Sequence, residues 1–365
     1  NGNTYWADAI SKEMGKAKVS FNPMDGCTPE QVRANKVDEL RGFQEIKCHI
    51  VFDVKMDFTR KARFVAGGHT TEAPNSLTYS SVVSRESVKI AFLIAALNEL
   101  DIMACDIGNA YLNAPCREKI WFVAGPECGP DVQGMVCKLV RALYGLKSSG
   151  AAWRAMFSAF IVNGLKFSPT RADPDVYIRK NYRDGGRLYY EYLLVYVDDV
   201  LVISAAPGEV MKDIGAEFEI KNDEYGPPTT YLGAGISKVQ LSGGTECWSM
   251  DSKKYVKAAI ETIRNLLLED GRELKSGTGG RQTGPLPPSY RPELDQTPMC
   301  DEDHASRYRQ IIGIYRWAVE LGRFDILTEV SILSQYQASP RVGHLEALYL
   351  IANYLVRFPL RRLVF

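Results

Sequence analysis

Apolar residues recur along this chain in two rhythms, a helical spacing of three to four and a strand-like alternation of two. The switches between them outline its elements. Residues 5–20 (YWADAISKEMGKAKVS) place Trp6, Ile10 and Met14 at helical spacing. Residues 47–67 alternate, HIVFDVKM and then KARFVA about a polar turn near DFTR, which predicts a β-hairpin. Residues 84–100 (SRESVKIAFLIAALNEL) predict an amphipathic helix capped by Ser84, with Ile90, Leu93, Ile94 and Leu97 as its apolar stripe. The stretch DIMACDIGNAYLNA (101–114) opens as a short strand, and KIWFVA (119–124) and MVCKLVRAL (135–143) read as two more. Helical period returns over 148–165, where Trp153, Phe157, Phe160 and Ile161 share one side and Gly164 stops the run. That aromatic stripe reads as core.

Further along, DVYIRK, LYYEYLLVYV and VLVIS read as strands, 209–220 as a helix, 230–241 and 246–251 as strands, and 252–268 as a helix. Gly, Pro, Ser and Thr crowd residues 269–300, which read as a linker or extended arm. Two last helices are expected near 304–322 and 341–357. Helices and strands intermingle without strict βα alternation, and several strands come as hairpins, so the fold class is α+β.

Composition narrows the picture. The chain has 365 residues, 45% hydrophobic and 24% charged, enough for two or three domains with buried cores. Its 44 basic and 44 acidic residues cancel. That excludes a uniformly basic, histone-like protein but leaves room for a locally basic groove. The eight cysteines form no C-x-x-C pair and only four histidines accompany them, which argues against a zinc site or a dense disulfide framework. Free thiols in a reducing compartment are the simpler reading. His49, His69, His304 and His344 lie far apart, and none is assigned to catalysis. No apolar run approaches the ~20 residues that cross a bilayer, and no membrane partner is expected. The first residues carry neither an initiator Met nor a signal pattern, so the chain reads as an internal piece of a longer one.

The candidate chemistry lies in LLVYVDDVLVIS, residues 193–204, where Asp198 and Asp199 interrupt an apolar run. Two strands with two residues between them make a tight hairpin, but Asp-Asp is not the favoured turn pair. Asp106, in ACDIGNAYLNA, likewise ends an apolar stretch. If that strand lies beside the hairpin, three carboxylates converge. Three anions ~4 Å apart repel by roughly 4 kcal/mol per pair at an effective dielectric of 20, so the cluster needs cations. Hard carboxylate oxygens suit Mg²⁺ or Mn²⁺, and two such ions serve a phosphoryl transfer.

These motifs in this order, CDIGNAYLN, KLVRALYGLKSSGAAW and YVDD, resemble the reverse transcriptase of Ty1/copia-type retrotransposons. KARFVAGGHT, TYSSVVSRESVK, YLGAGI and YRQIIGIYRWAVELGRFDI extend the resemblance over nearly the whole chain. The resemblance implies a right-hand polymerase fold. Fingers would span 1–100 with part of 115–160, and a palm with an antiparallel sheet would span 101–240, interrupted by that fingers segment. A helical thumb would cover 241–268, a linker 269–300, and a partial, connection-like segment 301–365, without RNase H. It implies an RNA-directed DNA polymerase, a nucleotidyltransferase using two Mg²⁺ or Mn²⁺ ions on an RNA or DNA template with primer and deoxynucleoside triphosphates. Other products of the same polyprotein are expected as partners. The expected location is the cytoplasm, in the element's virus-like particle, or the nucleus.

Residue by residue, the resemblance makes Asp106, Asp198 and Asp199 the metal-binding carboxylates, with Asp199 in support. Ala110 and Tyr111 would lie at the incoming sugar, where a bulky ring clashes with a 2′-hydroxyl. Lys61 and Arg63 would contact the triphosphate, and Gly145 and Lys147 would lie near nucleotide and template. Tyr231, Leu232 and Gly233 would grip the primer end, and Lys221 would protonate the leaving pyrophosphate. Departures from the pattern stand at Ser148, Ser149 and Gly150 after GLK, at Gly67 and Thr71, and at LGRFDI. They keep open a second reading, a copy that retains the fold and binds nucleic acid or protein without synthesis. A third, an RNA-dependent RNA polymerase, also uses an acidic hairpin, and Tyr111 argues against it.

Overall fold

The computed structural model of the chain describes residues 4–54, 58–74, 77–274 and 284–365. The expected turn of the first hairpin (55–57) and the middle of the expected linker (275–283) lie outside the described residues. The fold is mixed α and β, with several antiparallel sheets. The chain divides into two compact units, Asn1–Val88 with Asp101–Gly226, and Lys89–Leu100 with Pro227–Phe365.

The first unit opens with α1 (Tyr5–Ala17), β1 (Phe21–Pro23), α2 (Pro29–Arg33), β2 (Gln44–Ile46) and the hairpin β3 (Cys48–Val54) and β4 (Arg60–Ala66). Alternation along β4 buries Ala62, Phe64 and Ala66 and puts Lys61, Arg63 and Val65 on the other face. Helix α1 covers the hairpin, with Met14 buried and Trp6 edge-on to Phe52 at 4.9 Å. Helix α3 (Arg85–Leu97) follows, counted with the second unit from Lys89 onward. The first unit resumes with β5 (Asp101–Asp106), α4 (Ala110–Asn113), β6 (Ile120–Val123), β7 (Val136–Leu139) and α5 (Ser149–Ala159), which ends in a π turn at Phe160–Gly164. Then come β8 (Ser168–Pro169), β9 (Val176–Tyr182), β10 (Leu188–Tyr196), β11 (Asp199–Ser204) and α6 (Pro207–Glu217).

Two larger sheets result. One orders β1-β7-β6-β2, with β2 parallel to β6. The other is five-stranded, β5-β11-β10-β9-β8, antiparallel at every pairing. Its two central strands are buried on both faces over Leu193–Val195 and Val200–Ser204, which explains their continuous apolar runs. The core beneath joins Trp153, Phe157, Phe167, Leu193, Val200, Ile214 and Phe218. One charge is buried in this sheet: Glu191 meets Arg179 at 2.6 Å and accepts from Ser204 Oγ at 2.6 Å. The aromatic stripe of α5 is core, as its spacing implied.

The second unit holds the sheet β12 (Thr230–Tyr231), β13 (Ala234–Gln240), β14 (Glu246–Asp251) and β15 (Arg362–Val364), in that order. Its helices are α7 (Lys253–Glu269), α8 (Glu302–Glu320), α9 (Leu327–Ser334) and α10 (Val342–Arg357). Helix α7 buries Val256, Ile260, Ile263 and Leu267, an i, i+4, i+7, i+11 stripe. Tyr308 and Tyr315 of α8 lie fully buried and donate to Leu333 O at 2.6 Å and Leu348 O at 2.7 Å. Residues 284–300, part of the expected linker, pack Leu286, Tyr290 and Cys300 against this helical core.

Helix α3 buries a different face from the one its spacing predicts. The stripe expected to bury α3 was Ile90, Leu93, Ile94 and Leu97, yet Ile90, Leu93 and Leu97 are exposed. The buried side is Ala91, Phe92 and Ala95, with Phe92 meeting Trp248 at 5.9 Å and Phe365 at 5.7 Å. The helix is apolar on two faces, and the small alanines allow the closer approach.

Candidate active site

Strand register builds the acidic cluster. Tyr196 pairs with Asp199, so the two loop residues are Val197 and Asp198, and Asp199 is already the first residue of β11. The sequence reading had put both aspartates in the loop. Val197 has φ +58°, and Asp198 is not among the positive-φ residues. That is the pattern of a type II′ turn, whose first position usually holds glycine. On its other edge β11 pairs with β5, and Asp199 stands opposite Asp106. The amide of Ile107 donates to Asp198 O at 2.8 Å. Three carboxylates more than ninety residues apart at the extremes, Asp106, Asp198 and Asp199, therefore meet at one end of the five-stranded sheet.

Their electrostatics follow from that crowding. Burial, then the charges of Asp198 and Asp106, push the Asp199 carboxyl up to about 6. Burial also raises Asp198, with Asp106 adding to it and Lys221 and Lys61 opposing. Lys221 Nζ is paired with Asp106 Oδ2. It is brought there because Gly108 N bonds Glu219 O at 2.8 Å and Ile107 bridges Ile220. Lys61 sits on the polar face of β4, within electrostatic reach of Asp198. Arg63, on the same face, lies 3.9 Å from Asp53 across the hairpin.

Ala110 and Tyr111 open the short α4, two and three residues after Gly108 in the turn that leaves β5. Ala110 is buried and Tyr111 half-buried. Burial and the charge of Asp198 raise the Tyr111 hydroxyl. Its ring lies 5.0 Å from that of Tyr144, whose hydroxyl burial and Asp198 push up to about 12. Sequence reasoning passed over Tyr144, although it stands inside the LYGLK segment beside Gly145.

Gly145 sits where two backbone segments meet. It lies against β4: a Cβ there would lie 2.1 Å from Ala66 O, and φ is +91°. Gly68 interlocks from the other side, where a Cβ would meet Gly145 O at 2.3 Å. Ala66 N donates to Tyr144 O at 2.7 Å, tying the basic hairpin to the aromatic pair. Lys147 donates to Thr71 O at 2.5 Å. Ser148 donates through N and Oγ to buried Glu118, at 2.9 and 2.7 Å, and Ser149 Oγ donates to Leu143 O at 2.7 Å. The altered SSG segment is thus fully integrated at the start of α5. Nothing in the sequence pairs Glu118 with Ser148 in advance.

The donor set fits a hard divalent cation. Oxyanions that raise one another's protonation are what such an ion relieves. Among the described residues no group of three or more His, Cys, Asp or Glu side chains is arranged to hold a metal ion by itself. Further oxygens would come from water and phosphate, the habit of Mg²⁺.

In the second unit, Tyr231 pairs with Ala234, leaving Leu232 and Gly233 as a two-residue loop. Both have positive φ, +47° and +86°, the type I′ pattern. Tyr231 is buried, with 4% of its surface exposed.

A family model described as reverse transcriptase (RNA-dependent DNA polymerase) matches residues 35–265, more than half of the chain. The chain belongs to that family. It is 26% identical over 336 residues to the retrovirus-related Pol polyprotein from transposon TNT 1-94 of Nicotiana tabacum, covering 88% of this chain and 24% of that protein. It is 25% identical over 307 residues to the retrovirus-related Pol polyprotein from transposon RE1 of Arabidopsis thaliana, covering 82% of the chain and 19% of the relative. It is 23% identical over 359 residues to the transposon Ty1-DR1 Gag-Pol polyprotein of Saccharomyces cerevisiae, covering 96% and 19%. With the motifs above, these matches identify reverse-transcriptase sequence of the Ty1/copia type. The chain spans only a fifth to a quarter of the length of these relatives.

Proposed function

We propose that this chain is an RNA-directed DNA polymerase that adds deoxynucleotides to a primer 3′-hydroxyl on an RNA or DNA template, releasing pyrophosphate. The observation that carries the reading is the register that sets Asp199 opposite Asp106 with Asp198 in the adjoining turn. In this reading the five-stranded sheet is the palm, the hairpin β3–β4 belongs to the fingers, 241–268 form the thumb and 301–365 a connection-like segment.

Asp106, Asp198 and Asp199 would hold Mg²⁺ or Mn²⁺. Two such ions, when bound, would supply charge neutralisation at the triphosphate and acidify the primer hydroxyl. The chain's own groups do the rest by positioning and by complementary charge. Lys61 and Arg63 bind the triphosphate, and the Tyr111 ring occupies the space a 2′-hydroxyl would need, with Ala110 beside it. Gly145 and Lys147 lie near nucleotide and template, on the segment that also ties down β4 and Thr71. Lys221, an ammonium on Asp106, gives its proton to the leaving pyrophosphate. Tyr231, Leu232 and Gly233 hold the primer end.

Primer extension on an RNA template with Mg²⁺ or Mn²⁺ tests the reading. Extension by the native chain and loss of at least ~10³-fold on Asp198→Ala or Asp199→Ala is expected. Binding of primer–template without extension would instead favour a nucleic-acid-binding module. Tyr111→Ala separates deoxynucleotide from ribonucleotide polymerase. Ribonucleotide use relative to deoxynucleotide should rise on the order of 10–100-fold, whereas an RNA polymerase would change little.

A further inference from the structure

We propose that Trp153 is a positioning residue that holds the strained Val197–Asp198 turn and so sets where the carboxylates of Asp198 and Asp199 point. This rests on the reading of those two aspartates as catalytic. Val197 has φ +58°, a conformation that β-branched residues rarely adopt. Such a conformation persists only where the surroundings over-determine it. Here they do. Trp153 Nε1 donates to Val197 O at 2.8 Å. The indole is 1% exposed, stacked on Phe157 at 5.0 Å and edge-on to Phe218 at 5.5 Å, so its donor direction is fixed.

The next residue of α5 grips the same strand end. Arg154 Nε donates to Asp175 Oδ1 at 2.7 Å, and Asp175 is 1% exposed. The carbonyl of Asp175 accepts from Val195 N at 3.0 Å, and Val195 O accepts from Val83 N at 2.9 Å. Past the turn, Asp198 O accepts from Ile107 N at 2.8 Å, beside Asp106. The turn is thus anchored before, at and after the strained residue. Core packing alone does not require the indole N–H at this carbonyl, because phenylalanine would fill most of the same space. A buried N–H does need some acceptor, so the test must separate an anchor from a donor that merely found the nearest oxygen.

The full chain is prepared as Trp153→Phe, as Val197→Gly and as the double variant. A further version carries benzothienylalanine at position 153, which keeps the fused ring and removes only the donor. Two readouts are taken: kcat and KM for deoxynucleotide on an RNA primer–template, and hydrogen exchange at the amides of Asp199 and Ile107, which needs no activity. Loss of the donor should lower kcat on the order of ten-fold, the size of one hydrogen bond lost from a strained turn. KM should stay within about two-fold, since no substrate contact is touched, and both amides should exchange faster. Val197→Gly should restore kcat and protection in the Trp153→Phe background, because glycine holds positive φ unaided. Native exchange rates in the two donor-less proteins, or failure of Val197→Gly to rescue, overturns the proposal and makes Trp153 a packing residue. If the native chain extends no primer, the polymerase reading falls, and the exchange measurements still decide the anchor.

Discussion

Replacing Asp199 by asparagine removes a carboxylate that burial and its acidic neighbours hold protonated until about pH 6, against an ordinary value of 3.8. The folded state therefore binds more protons than the unfolded one between those limits. Stability falls as pH rises through that window and stays lowered above it. In metal-free buffer Asp199→Asn should raise Tm at pH 8 by on the order of a few degrees, discounted for the group's partial exposure. The gain should vanish below about pH 4, where both states of the native carboxyl are protonated. A gain equal at pH 4 and pH 8 would show that charge is not its cause. Mg²⁺ should raise Tm in the native chain and less in the variant, by ordinary ligand linkage. At this scale the sequence was informative where a residue contradicted its surroundings. Asp106, Asp198 and Asp199 stood out because apolar strands do not otherwise hold carboxylates. Tyr144 and Trp153 agreed with their surroundings, as aromatics among apolar neighbours. Their polar atoms acquire meaning only from what tertiary packing puts beside them.

Among the elements, the join between β4 and the LYGLK segment is the most demanding sterically. Gly145→Ala puts a Cβ 2.1 Å from Ala66 O at a φ of +91°, so backbone must move on one side or the other. A loss of ~2 kcal/mol or more is expected, from positive φ and overpacking together. It should appear as a lower denaturant midpoint, with a raised KM for deoxynucleotide because Lys61 and Arg63 ride on the same strand. A KM unchanged beside a lowered midpoint would separate the hairpin from nucleotide binding. Longer elements bounded by clear turns or caps were legible: β3–β4, β10–β11, α5, α7 and α10 lie where the pattern puts them. Short elements were not. β1, β2 and α9 were missed, since three strand residues or two helical turns carry too little periodicity. Helix α3 was found but turned, because Ile90, Leu93 and Leu97 compete with Ala91, Phe92 and Ala95 and period alone does not choose between two apolar faces. The hairpin tip was off by one residue. Tight-turn rules disfavour valine at positive φ, and the structure puts Val197 there.

For the molecule as a whole, 44 basic and 44 acidic side chains leave no net charge to draw in a polyanion. If it polymerises as proposed, a chain of this balance holds its template by local contacts. Each phosphate neutralised by a Lys or Arg releases condensed counterions, and the salt slope of binding counts those contacts at roughly 0.7–0.9 per phosphate. Lys61 and Arg63 on the open face of β4 are reserved for the triphosphate in the proposed mechanism, so the count for primer–template should be modest. With about three phosphate contacts, affinity should fall roughly 20–50-fold between 50 and 200 mM salt. Fluorescence anisotropy of a labelled RNA–DNA primer–template, with divalent ions chelated, measures the slope directly. A slope near zero would remove the nucleic-acid partner altogether. A loss of 10³-fold or more, as for proteins making six to ten phosphate contacts, would mean that the overall neutrality hides a continuous basic track. The same titration with Asp198→Ala separates this term from the acidic site. Removing one carboxylate should strengthen binding slightly at low salt by easing repulsion, and leave the slope unchanged, because no phosphate contact is gained or lost.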